Sequence, residues 1–168
     1  MAETAAPPRP AEHLDHGAGY EEDFVLWTRH QAALIRAGRF DLVDWENVAE
    51  EIESLGIGDR RELGSRLEVL MMHLLKWQFQ PMHRSRSWRS TIRNQRGRIE
   101  RVLKQSPSLR REVAELSREE YAVARQAASA ETGFALRTFP KSLPYTPEQI
   151  LNEDFFPGLI DENRDAAQ

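Results

Sequence analysis

Cysteine does not occur among the 168 residues, which excludes a disulfide framework, a Cys-based zinc site and a thiol nucleophile. Long hydrophobic runs are missing too. The most apolar window, LEVLMMHLLKWQF, is too short to span a bilayer and is interrupted by His73, so no membrane role is expected. An excess of positive charge is also absent. The chain has 23 Lys and Arg against 27 Asp and Glu, a net charge of −4, so no global basic character points to DNA or anionic lipid. No phosphate-binding glycine loop is found, hence no nucleotide signature, and no cofactor is expected.

The opening residues, MAETAAPPRPAEHLDHGAG, have no apolar run of the signal-peptide kind and carry three prolines. They predict a disordered leader over 1–19, and 159–168 a flexible C-terminus. The missing signal and the missing cysteines together lead to the expectation of a cytoplasmic protein. Apolar residues make up 40% of the chain, adequate for a core, and the length suits one domain, expected over 20–158.

From Tyr20 onward the apolar spacing is helical. Phe24, Trp27, Gln31 and Leu34 recur at three- and four-residue steps, Glu21, Glu22 and Asp23 sit where the helix dipole favours acids, and Gly38 closes the helix. A second helix, capped by Asp41 or Asp44, carries Trp45, Val48, Ile52 and Leu55 and should end with Gly56 at C′. A third, about Asp59 to Phe79, is apolar on nearly all sides and predicts a central element that Pro81 stops. A fourth runs from about Ser85 to Lys104 with Trp88, Ile92, Gln95, Ile99 and Val102 inward. Ser106 caps a fifth, with Pro107 at its first position, continuing to Thr132 or restarting at Ser117. The proline-punctuated tail holds one short helix capped by Thr146, and Tyr145, Ile150, Leu151, Phe155 and Phe156 should dock it. The fold class is all-α: a bundle of about five main helices with an extended C-terminal tail.

Charge is unevenly placed. Arg84 to Arg111 holds ten Lys or Arg and one acid, Glu100, whereas Asp41 to Glu62 holds eight acids and two arginines. Arg86, Arg89, Arg93 and Arg96 form one stripe, and Glu46, Glu50 and Glu53 another of the same pitch. Such stripes can pair, within the bundle or across a dimer. The alternative is an RNA- or DNA-binding face over 84–111.

His73 interrupts the central helix, and Glu51 could approach it. A metal site in a bundle usually needs Glu-x-x-His repeated on two helices, or three histidines, and no glutamate stands three residues before any histidine. His73 is therefore read as a hydrogen-bonded histidine at the core boundary, and no metal ligand or catalytic residue is assigned. Trp27, Trp45 and Trp88 sit on apolar stripes and read as core, while Trp77 lies at a stripe edge, partly exposed.

The segments DWENVAEEIE, HLLKW, SWRSTI and YTPEQIL, in this order and spacing, resemble the bacterial family of domain of unknown function 29, over about Tyr20 to Pro157. Met72 departs from that pattern, in which a polar or charged residue commonly precedes the histidine. The resemblance implies an all-helical fold and no assigned activity. Its pattern positions here include Trp45, Glu46, Glu50, Glu51, His73, Trp77, Trp88, Ile92 and Gln95. The first functional expectation is a non-enzymatic interaction module that binds a protein or itself, with Glu50, Glu51, His73, Trp77, Arg86, Arg89, Arg93 and Arg96 as binding candidates. Nucleic-acid binding is the alternative, and a small metal-dependent enzyme around Glu51 and His73 the second alternative.

Overall fold

The structure is a computed structural model that describes residues 19–158. The expectations for 1–18 and 159–168 lie outside the described residues. Among those described there are five α-helices and no strand, the all-α class expected. None of these helices is long and apolar enough to cross a membrane. The chain divides into two compact units, one ending at Leu55 and one beginning at Gly56.

The first unit is a helical hairpin. Helix α1 (Phe24–Arg36) is capped by Asp23, whose carboxylate accepts from the Leu26 amide at 2.9 Å. After Ala37 the chain turns through Gly38 at φ +70°, a backbone region that glycine enters without strain. Asp44 then accepts the Asn47 amide at 3.3 Å and starts α2 (Trp45–Phe79). Trp27, Gln31 and Leu34 form the buried stripe of α1.

Helix α2 corrects the expected chain of helices. It runs 35 residues without a break, through Gly56 and Gly58, so the expected second and third helices are one. Gly56 does not take the left-handed conformation that ends a helix. A glycine inside a helix costs about 1 kcal/mol relative to alanine but does not forbid helix, and here the backbone continues.

In the second unit the rest of α2 packs with α3 (Arg86–Gln105), α4 (Val113–Thr132) and the tail that contains α5 (Pro147–Leu151). Its core includes Leu67, Leu70, Met71, Leu74, Ile92, Ile99, Leu116, Phe139 and Ile150. Met72 is buried, and Val69 and Phe79 pack against the same core, which fits an α2 that is apolar on several sides. Ser85 caps α3, accepting from Trp88 N at 3.2 Å. The expected fifth helix begins later than the sequence suggests. Pro107–Glu112 form a 3₁₀ segment, Ser106 donates to Asp59 rather than capping, and Ser117 is buried within α4 instead of starting it. Gly133, at φ +73°, closes α4. Thr146 and Gln149 make a full capping box at α5. Tyr145 and Ile150 are buried, with Leu151, Phe155 and Phe156 packed on the core, so the tail docks as expected.

Candidate functional site

The hairpin unit places Glu51 first. Its carboxylate accepts from the Tyr20 hydroxyl, and that bond, followed by desolvation and the surrounding acids, pushes the phenol up to about 12. The Tyr20 ring stands edge-on to Trp27 at 4.9 Å and to Phe24 at 5.9 Å. Gln31, buried on α1, accepts the Asp44 amide at 2.9 Å, and Asn47 donates to the Asp44 carboxylate at 2.7 Å. The Asn47 bond is the main reason the Asp44 carboxyl is held below its usual range. These polar contacts fix the two arms of the hairpin but cover little of its apolar surface.

A groove of about 380 Å³ opens between the arms, lined by Phe24, Ala32 and Ile35 from α1 and Val48, Ile52 and Leu55 from α2, with Glu51 also on its lining. Phe24 is 47% exposed, Ile52 64% and Leu55 72%. Burying an aliphatic side chain contributes roughly 1.5–3 kcal/mol, and contiguous exposed apolar side chains in a folded protein mark an interaction site. Trp45, expected in the core, is 52% exposed; its indole donates to the Phe40 carbonyl at 3.0 Å. Glu50, a sequence candidate, is exposed on the hairpin, and among the described residues of that unit it has no ion-pair partner.

In the second unit the structure separates the arginines of the expected stripe. Arg96 turns inward and is 2% exposed, donating to the carbonyls of Ile150 at 2.8 Å, Glu153 at 3.3 Å and Gln149 at 3.4 Å. Its assignment to a surface stripe is corrected: the tail, which the periodicity of α3 cannot reveal, covers that side of the helix. Burial lowers its guanidinium to about 10, against the opposing pull of Glu153 and Asp154. Arg89 lies over the rings of Trp77 at 5.5 Å and Phe156 at 5.6 Å. Trp77, expected at a partly exposed edge, is buried, because Phe156 packs on it at 5.0 Å and Arg84 spans it at 5.2 Å. Arg86 and Arg93 remain on the exposed side, and among the described residues of their unit neither has a carboxylate partner. Arg93, Arg98 and Arg101 line a shallow polar depression of about 510 Å³ with Ser90, Asn94 and Gly97.

His73 is half-buried, its Nδ1 2.9 Å from the Val69 carbonyl. Burial holds its imidazole below the usual value. No group of three or more His, Asp or Glu side chains among the described residues is arranged to hold a metal ion. A crevice of about 440 Å³ beside α4 is lined by Arg118, Tyr121, Lys141 and Tyr145, but both hydroxyls are engaged. Tyr121 donates to the Pro140 carbonyl at 2.8 Å and Tyr145 to Gln78 at 2.7 Å, and burial pushes both phenols up.

Sequence reasoning missed the ion pair of Lys76 with Glu131, with Lys76 5% exposed and its ammonium 4.5 Å from the Trp88 ring centre. The signal was present as a lysine inside the apolar run HLLKW. It also missed Arg84, whose Nε donates to the Trp77 carbonyl at 2.8 Å.

The architecture defines an all-α protein with an open apolar groove on one unit and an arginine face on the other. The family model of domain of unknown function DUF29 matches residues 20–156, and the chain belongs to that family. No curated protein and no solved structure matches the chain.

Proposed function

We propose that this protein is a non-enzymatic helical interaction module that docks a protein partner in the apolar groove between α1 and the start of α2, acting in the cytoplasm. The observation that carries the reading is the exposure of Phe24, Ile52 and Leu55 around one groove. Polar side chains in the hairpin are tied up in holding its arms, as with Tyr20 and Glu51, or Asp44 and Asn47, so the groove offers apolar contact rather than chemistry. Cross-linked capture from native cells after nuclease treatment, with wild type beside Ile52→Asp, tests it. A protein partner held by wild type and lost in the variant supports the module, and equal capture by both removes it.

A second reading has its own observation. The outer face of α3 presents Arg86, Arg93, Arg98 and Arg101 without carboxylate partners among the described residues of its unit, the last three in a depression lined by polar atoms. That face suits the phosphates of RNA or DNA.

A further inference from the structure

We infer that the occupant of the groove is a second copy of this chain, two hairpins joining about a two-fold axis as a four-helix bundle. The inference rests on the docking reading above and names its partner. Its basis is how charge is divided between the two arms. Helix α1 contains Arg29, His30 and Arg36 and no acid; the α2 residues of the same unit contain Glu46, Glu50, Glu51 and Glu53 and no base. Within the unit none of these arginines and glutamates forms an ion pair with another.

Helical spacing explains why they stay apart. The groove-lining residues of α1 include Phe24, Thr28, Ala32 and Ile35, with Trp27 and Gln31 on the side toward α2, and Arg29 and Arg36 fall on the flank beyond the first four, away from α2. On α2 the apolar lining residues are Val48, Ile52 and Leu55, beside Glu51, whose carboxylate is taken by the Tyr20 hydroxyl, and Glu46 and Glu53 fall on the flank away from α1. The groove therefore has an apolar floor, one basic bank and one acidic bank. Arg29 and Arg36 are seven residues apart, as are Glu46 and Glu53, so both banks repeat at the same two-turn pitch.

A surface of this kind is complementary to itself. A two-fold axis parallel to the helices lays α1 of one copy over α2 of the other, antiparallel. Floor then meets floor, and each basic bank meets an acidic one. Another protein could fill the floor, but a second copy also answers both banks at their own spacing. Exposed charge pairs add little affinity, yet they decide which partner and register is accepted.

The test is sedimentation of the full chain. Wild type should sediment at twice the 19.4 kDa chain mass, and Ile52→Asp as a monomer with unchanged helical circular dichroism. The double variants Arg29→Glu/Arg36→Glu and Glu46→Lys/Glu53→Lys should each be monomeric alone, or bind themselves at least tenfold more weakly. Mixed together they should form a one-to-one dimer, since one carries two acidic banks and the other two basic ones. Double variants that still self-associate like wild type, or fail to combine when mixed, overturn the inference. A monomeric wild type that still captures another protein through Ile52 overturns the second copy and leaves the docking reading standing. A monomeric wild type whose capture is unaffected by Ile52→Asp overturns both.

Discussion

The Arg96 guanidinium donates to the Ile150 carbonyl at 2.8 Å across 54 residues of sequence, and among the described residues it forms no ion pair with a carboxylate. A charged side chain is held by the backbone carbonyls of the tail, so the tail is fastened to α3 by donors it cannot replace. Removing that donor leaves buried carbonyls unpaired, which costs more than the hydrogen bonds contribute. Arg96→Leu should lower unfolding free energy by about 2–3 kcal/mol. Arg93→Leu, three residues earlier in the stripe, should change it by less than about 0.5 kcal/mol. Urea unfolding of the two variants checks this, and equal losses would refute the separation of the stripe into buried and exposed members.

How legible the molecule was in its sequence differs by element. Several caps and stops were readable because they are local: Gly38, Ser85, Gly133 and the cap at Thr146 fall where side-chain chemistry put them. Gly56 misled for the same reason, since a local stop signal was overridden by a helix that continues on both sides. Arg96 and Trp77 were misplaced because their surroundings come from the tail, more than 50 residues later. A helical period says which residues share a face, not what arrives to cover it. Glu51 was named as a candidate beside His73, yet within its unit its partner is Tyr20, a residue no spacing rule joins to it.

The uninterrupted α2 makes its glycines testable. A Cβ built on Gly56 or Gly58 meets nothing within 4 Å, whereas one on Gly64 would lie 3.0 Å from the Glu120 carboxylate. Gly56→Ala and Gly58→Ala should each raise stability by about 0.5–1 kcal/mol through helix propensity and a less flexible unfolded chain. Gly64→Ala should gain less, because Glu120 has to shift. Were Gly56 a true helix end, alanine there would destabilise, and thermal melts tell the two apart.

His73 supplies a pH dependence with a definite sign. Its folded pKa is lowered, chiefly by burial, with Lys76 adding to the effect and the Val69 carbonyl and Glu131 opposing it. Below about 6.5 the unfolded chain takes up a proton that the folded chain resists, so stability present above that value is lost as pH falls. The stability advantage of wild type over His73→Gln should be constant above about pH 7 and shrink toward pH 5. Parallel curves for the two proteins over that range would show that His73 does not titrate against burial.

The arginine face of α3 makes its own demand. Binding to phosphates releases counterions, so an interface built from Arg93, Arg98 and Arg101 must weaken steeply with salt, whatever the base sequence. Duplex affinity at physiological salt should be that of non-specific binding, on the order of 10⁻⁴–10⁻⁶ M. Arg93→Ala and Arg101→Ala should each lower the logarithmic salt slope by about one, while Arg110→Ala, whose guanidinium already pairs with Glu100 at 3.1 Å, should leave it nearly unchanged. Gly97 sharpens the test. It lines the same depression, and a Cβ there meets nothing in the chain, so Gly97→Ala should stabilise the helix by roughly 0.5–1 kcal/mol. If a phosphate backbone approaches that bare segment, the same variant should bind more weakly although it folds more stably. Binding that ignores salt, or that survives both arginine substitutions with its slope intact, would remove nucleic acid as a partner of this face.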